Sequence, residues 1–295
     1  MKSAVLLAIL FAAVVGLAHL EDRIRQESLL DDAAADILYV QSPTFLTRAA
    51  LSYDALVADI YWIRAVQYYG RTKVAKDEHK NYSLLYPLLD LTTSVDPYFN
   101  IAYRFGAIFL SERYPAGAGR PDLAIALLEK GLRAQPAEWH FAEDIGFVHY
   151  WSSQDYITAA HWFSRAAAMP NALNWLKPLA AVTLAQGGSR DTSRRLWTEI
   201  MRNADAKWLQ VQGAYRLQQL DAMDGAELME RVVMQYRART GTWPRTWYDV
   251  IRANLLRGIP VDPTGFPFHL DPATGRVTVD PASGLSPLPG AERPH

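Results

Sequence analysis

The sequence repeats a helical pattern at an interval of 34 residues, and the interval is clearest between Pro136 and Pro170. Each proline ends an amphipathic stretch, and Trp139 or Trp175 begins the next one. A repeat of this length holds two helices, which cannot bury their apolar sides alone and therefore stack on neighbouring units. The chain is therefore predicted to be all-α over most of its length.

Small and bulky residues recur at fixed offsets within this repeat. One complete set of offsets is occupied by Phe105, Gly106, Ala124, Leu128, Gly131 and Pro136. The pattern resembles the tetratricopeptide repeat, whose small residues lie where two helices approach and whose bulky residues fill the space between them. The resemblance covers about residues 50–201. It implies a tetratricopeptide-like solenoid of helical hairpins that binds a protein or peptide partner in a concave groove.

The repeat register identifies the side chains that would face this groove. We take Gly106, Gly146 and Ala180 as equivalent small positions, so the first helix of each unit supplies the groove residues. In the same register, bulky side chains such as Phe105 and Phe163 are predicted to fill the space between helices. The predicted partner-binding residues are Asn100, Tyr103, His140, Glu143, Tyr150, Trp151, Asn174 and Lys177.

The amino terminus predicts the cellular location. An uncharged apolar run, SAVLLAILFAAVVGLA, follows Lys2 and ends before Glu21-Asp22-Arg23. It is either a cleaved signal peptide, since Gly16-Leu17-Ala18 has the small residues of a cleavage site, or an anchor in which residues 3–20 enter the inner membrane. A buried core helix is the less favoured alternative. The positive charge before the run favours a periplasmic or extracytoplasmic location for the remainder.

The composition changes near Gly241, where prolines begin to interrupt every long helix. The stretch PFHL-DPATG-RVTV predicts two short strands about a turn, within about residues 266–280. The succession Tyr236, Gly241, Pro244, Gly258, Pro260, Asp262-Pro263, Gly265 and Pro267-Phe268 resembles the region after the long helix in major pseudopilins of type II secretion systems. That resemblance implies a small α+β module with a tight Asp-Pro-x-Gly turn. A turn-rich cap for the solenoid is the alternative, and Thr264 departs from the aromatic usual in that family.

The predicted domain organisation follows from these segments. Trp208 to Val233 predicts two further helical stretches, read as a degenerate unit or a capping pair. The predicted division is a signal peptide or anchor at 1–20, a helical spacer at 21–49, the helical array at 50–235, the small module at 236–280 and a mobile tail at 281–295.

Charge and residue types argue against several functional classes. The chain has 30 basic and 31 acidic residues, so its overall charge does not favour binding to a nucleic acid. It lacks cysteine, which excludes thiolate metal sites and a cysteine nucleophile. His140, Asp144 and His149 are close in sequence but do not share one helix face, so no metal site is predicted. No cofactor is predicted either.

These observations favour a non-enzymatic protein-binding scaffold of the bacterial envelope. An assembly or docking factor for a type IV pilus or a type II secretion-like machine is the alternative, in which the C-terminal module meets a pilin-like subunit. An envelope enzyme that acts on polysaccharide is disfavoured, because no acid/base pair stands out.

Overall fold

The computed structural model describes residues 53–76, 79–203 and 206–290. The predicted signal peptide or anchor at 1–20 and the spacer at 21–49 lie outside these ranges. The described chain forms ten α-helices and two short strands, so the predicted mostly helical fold is confirmed. In these ranges no helix is both long enough and apolar enough to cross a membrane. The chain divides into two compact units, Met1–Pro136 and Ala137–His295.

The described part of the first unit contains four helices, and each packs against its neighbour in chain order. The helices are α1 (Asp54–Val74), α2 (Leu85–Val95), α3 (Asn100–Ser111) and α4 (Pro121–Ala134). Pro121 begins α4, where its missing N–H leaves no hydrogen bond unmade. Gly70 lowers helix propensity inside α1, but the helix runs on to Val74.

Gly106 sets the distance between the helices of this unit. A methyl group at Gly106 would lie 2.9 Å from Leu89 of α2 and 3.0 Å from Leu127 of α4. Both leucines are fully buried, so only a hydrogen atom fits between them without movement. The predicted role of Gly106 as a point of close helix approach is confirmed.

The second unit continues with five helices and a short π-helix, His149–Ser153, that extends the first of them. The helices are α5 (Trp139–Val148), α6 (Tyr156–Ala167), α7 (Leu176–Gln186), α8 (Arg190–Asn203) and α9 (Lys207–Thr240). Gly146 of α5 lies against Phe163 of α6, so the predicted close approach of these helices is also confirmed.

The helix α9 is continuous over 34 residues, whereas the sequence predicts two stretches here. Gly213 and Gly225 lower helix propensity inside it, but both are points of close packing. A methyl group would lie 2.3 Å from Met201 at the first glycine and 2.9 Å from Phe268 at the second. The helix ends at Gly241, which has a φ of 80° that glycine adopts without strain.

A small module follows α9 and packs on its last turns. It contains α10 (Trp247–Arg252) and the antiparallel strands β1 (His269–Leu270) and β2 (Val277–Thr278), which lie inside the predicted 266–280 segment. The Trp247 indole N–H donates to the carbonyl of Phe268 at 2.8 Å. The core shared with α9 includes Ala222, Ala226, Val233, Val250, Leu270, Val277 and Leu285.

Two buried polar side chains fix the loops of this module. Asp262 accepts hydrogen bonds from the Thr264 N–H at 2.8 Å, the Phe266 N–H at 3.1 Å and the Ser283 hydroxyl. Gln219 of α9 donates to the carbonyls of Leu285 at 2.8 Å and Pro287 at 2.9 Å. The described part of the predicted tail, residues 281–290, therefore packs on α9.

Candidate functional site

The predicted partner-binding residues of the first unit lie in different surroundings. Tyr103 is fully buried, and its hydroxyl donates to the carbonyl of Thr93 at 3.2 Å. Burial raises its pKa to about 12. Asn100 is half-buried and accepts a hydrogen bond from Gln135 at 2.6 Å. Tyr103 therefore packs in the core, and Asn100 lies at the surface.

Three predicted residues of α5 and its π-helix extension reach solvent to different degrees. Glu143 is buried, with 6% of its surface exposed, whereas Trp151 is 68% exposed. Tyr150 is half-buried and donates its hydroxyl to Gln186 at 2.9 Å. Its ring lies edge-on to Trp151, with centroids 4.9 Å apart. The structure therefore brings Tyr150 and Trp151 together.

The remaining predicted residues of the second unit lie in two places. The His140 ring stacks on Trp139 and contacts the Glu138 carboxylate. Asn174 and Lys177 line one pocket of about 260 Å³, and Lys177 forms an ion pair with Glu199 at 2.6 Å. No group of three potential metal ligands occurs within the described residues.

An exposed apolar surface on α1 and α3 is the most unusual feature of the first unit. Each of its side chains is at least half exposed, although each is aliphatic or aromatic. We call this surface the apolar face, and it comprises Leu56, Ile60, Ile63, Ile101, Phe105 and Ile108. The residues recur every three or four positions, so each helix presents them on one side. Phe105, predicted to fill the space between helices, is 50% exposed, because Phe109 occupies that place.

An aromatic seam joins the two helices that carry the apolar face. The Trp62 ring lies between Phe99 and Phe109, at centroid distances of 6.0 Å and 6.1 Å. Further along α1, the Tyr69 ring stacks on Phe109 at 4.1 Å. The contacts advance in the same direction on both helices, so α1 and α3 run parallel. These aromatic contacts hold together the two helices that carry the exposed rows.

A charged cluster closes the carboxyl end of this seam. The Lys73 ammonium lies 2.8 Å from the Glu112 carboxylate, which also accepts a hydrogen bond from the Tyr69 hydroxyl. Burial raises the pKa of Glu112, but the hydrogen bonds from Lys73 and Tyr69 outweigh burial and lower the pKa below its usual value. Lys73 and Glu112 therefore form an ion pair at this end of the seam.

Two carboxylates lie beside the apolar face. Asp59 and Asp96 line a pocket of about 380 Å³ together with Tyr98, Phe99, Asn100 and Ile101. The Asp96 carboxylate accepts the N–H of Tyr98 at 2.9 Å. Neither aspartate has a lysine or arginine partner in the part of the chain that the structure describes. An acidic pocket, which includes the predicted residue Asn100, therefore adjoins the apolar face at Ile101.

The sequence contains a pattern that indicates this surface, but the repeat register assigned other positions to the binding groove. Ile60, Ile63 and Ile101 are large apolar residues at helical spacing, but the repeat pattern directs attention to positions counted from the glycines. Tyr103 and Glu143 both stand three residues before such a glycine, and both are buried. Comparison with known proteins adds no relative, because no family model, curated protein or solved structure matches this chain.

Proposed function

We propose that the chain is a non-enzymatic protein-binding scaffold whose helices form a tetratricopeptide-like array. The apolar face carries this proposal, because large contiguous apolar surfaces on soluble proteins usually mark interaction sites. Gly106, Gly146 and Ala180 support the array, since each is buried inside the first helix of a predicted unit.

The occupant that fits the apolar face is an amphipathic helix of another protein. Apolar side chains in rows at helical spacing suit an amphipathic helix, which binds through anchors spaced three and four residues apart. Burial of the exposed half of each isoleucine would contribute about 1 kcal/mol, before the cost of association.

The acidic pocket defines the charge of the partner helix. Asp59 and Asp96 would attract a lysine or arginine, and this attraction would fix the direction in which the helix lies. The expected partner segment therefore carries aliphatic residues along one side and a basic residue at one end.

The proposal places this scaffold in the bacterial envelope, exported by the apolar run at residues 3–20. Fusion of alkaline phosphatase, which is active only outside the cytoplasm, after residue 50 tests the location. Phosphatase activity in intact cells is the expected result. An inactive fusion that accumulates to normal levels would contradict export.

Site-specific cross-linking tests the partner claim. Photoreactive benzoylphenylalanine replaces Ile63 in the full chain, and cells are irradiated. The matched control carries the same group at Asp122, which is exposed on α4 of the same unit and is not part of the apolar face. We expect an adduct with a second protein at position 63 and none at position 122.

The sequence of the cross-linked segment decides between occupants. A segment with apolar residues at helical spacing and a flanking lysine or arginine supports the proposal. Cross-links to residues 1–52 of the same molecule, or to a second copy of the chain, would refute it. Equal adducts at both positions would also refute it.

A further inference from the structure

A second surface feature lies in the second unit and is independent of the apolar face. It is a pocket of about 690 Å³, a volume typical of small-molecule sites. The π-helix, the start of α6, α7, α9 and the chain after Leu285 form its walls. Its lining is made of Tyr150, Gln154, Tyr156, Gln186, Tyr215, Arg216, Gln219, Pro287, Leu288, Pro289 and Gly290.

Arg216 is the one charged side chain in this lining. Its Nη1 donates to Gln219 at 2.7 Å, whereas its Nε is buried and has no acceptor. No carboxylate of the described chain pairs with it. Other arginines of this unit differ, since Arg190 and Arg194 both contact aspartates of α9. The pocket therefore holds a positive charge, and no described residue accepts a hydrogen bond from the Nη2 of Arg216.

The groups around Arg216 are held in place. Gln219 is fully buried and binds two carbonyls of the following segment, so its oxygen keeps the guanidinium oriented. Tyr150 is fixed by its hydrogen bond to Gln186. Gln154 ends the π-helix with a φ of 52°, a left-handed conformation that costs energy for a residue with a side chain. Single-turn π-helices and such strained residues cluster at functional sites.

We propose that this pocket binds a carboxylate ligand through the guanidinium of Arg216. A guanidinium presents two parallel N–H groups that match the two oxygens of a carboxylate. The single positive charge balances one negative charge, which favours a carboxylate over a phosphate dianion. The rings of Tyr150, Tyr156 and Tyr215 supply amphipathic walls that suit an aromatic or apolar group beside the carboxylate.

The carboxylate has two sources, a separate small molecule or the chain itself. Glu292 follows Gly290 by two residues in the sequence and is the candidate internal carboxylate. Its placement is outside the described residues. The variant Glu292→Gln removes this internal carboxylate and leaves the pocket unchanged.

Titration of the full chain with benzoate and benzamide tests the site. The two probes have nearly the same shape, but only benzoate carries a charge at pH 7. We expect benzoate to shift the amide resonances of Gly290 and Gln154, and benzamide to bind at least about tenfold more weakly. If Glu292 occupies the site, benzoate binds tightly only to the Glu292→Gln variant, and the carboxylate is then internal.

Substitution of the arginine separates a charge effect from a packing effect. Arg216→Gln should weaken benzoate binding by about tenfold or more. Arg216→Lys should weaken it by a smaller factor, because lysine keeps the positive charge but lacks the two parallel N–H groups of the guanidinium. Arg245→Gln is the matched control, since it removes an exposed arginine of the same unit outside the pocket, and should bind normally.

Three results would overturn the proposal. Benzamide that binds as tightly as benzoate would show that charge is not recognised. Benzoate that binds equally well to a folded Arg216→Gln or Arg216→Lys variant would exclude the guanidinium. Absence of binding in both the natural chain and the Glu292→Gln variant would exclude a carboxylate site.

Discussion

Replacement of Gly146 by alanine adds one methyl group to a close contact between α5 and α6. The methyl carbon would lie 2.5 Å and 2.6 Å from two ring carbons of Phe163 and 3.2 Å from the carbonyl oxygen of Ala159. Unstrained carbon atoms approach to about 3.5 Å, so the ring would have to move by about 1 Å. The ring is fully buried and packs edge-on against Phe147, with centroids 5.0 Å apart.

The expected loss follows from two opposing effects. Overpacking a core costs about 1–3 kcal/mol, whereas alanine stabilises a helix by about 1 kcal/mol over glycine. Because neither Phe163 nor the backbone of α6 has free space, we expect a net loss of about 1–2 kcal/mol. Urea unfolding followed by circular dichroism measures it.

A matched glycine provides the control for this prediction. Gly70 also lies inside a helix, but a methyl group there meets nothing within 4 Å. Gly70→Ala should therefore stabilise the first unit by about 0.5–1 kcal/mol. The packing argument is refuted if Gly146→Ala raises the free energy of unfolding as Gly70→Ala does.

Three further predictions concern buried polar groups. Burial in the folded state raises the pKa of Tyr103 from 10.0 to about 12. The contribution of Tyr103 to the free energy of unfolding is therefore complete below pH 10 and is lost as the pH rises to about 12. In Tyr103→Phe the free energy of unfolding should vary less with pH in this range, and an unaltered pH dependence would contradict this. Asp262→Asn should destabilise the module by at least about 2 kcal/mol in thermal melts, because the amide cannot accept all the hydrogen bonds that the carboxylate accepts; a loss below 0.5 kcal/mol is not compatible with this role. Gln219→Ala should release the segment after Leu285, with faster proteolytic cleavage there; cleavage at the natural rate would show that Gln219 does not hold it.

The amphipathic pattern predicts the helices well because their spacing is a local property. Gly106 and Gly146 were identified as close contacts from sequence, since a small residue at a fixed offset leaves room for a neighbouring helix. The strands near His269 and Val277 were also predicted, because turn residues separate two short alternating runs. Each of these features depends on neighbours in the sequence.

Features that depend on tertiary contacts were not predictable. The continuity of α9 depends on Met201 and Phe268, which pack against glycines that would otherwise favour a break. The packing of Leu285 depends on Gln219 of α9, which lies 66 residues earlier in the chain. The pocket around Arg216 is lined by segments that are far apart in the sequence, and no periodic pattern in the sequence predicts it.

The rotation of each helix about its axis limited the site prediction. A shift of one or two positions exchanges Tyr103, which is buried, for Phe105, which is exposed. Neighbours along a helix differ by about 100° in direction, so a small error in register moves a side chain from the surface to the core. The aromatic seam fixes the rotation, and it forms only when α1 and α3 meet.

The affinity of the partner segment for variants of the apolar face tests the central claim most directly. The segment cross-linked at position 63 is synthesised as a peptide, and its dissociation constant is measured for the natural chain, for Ile63→Asp and for the control Asp122→Ala. Ile63 is 52% exposed, so the substitution should leave the melting temperature nearly unchanged. The account predicts at least about tenfold weaker binding for Ile63→Asp alone, because an aspartate would be buried among apolar groups. An unchanged dissociation constant for Ile63→Asp would contradict it.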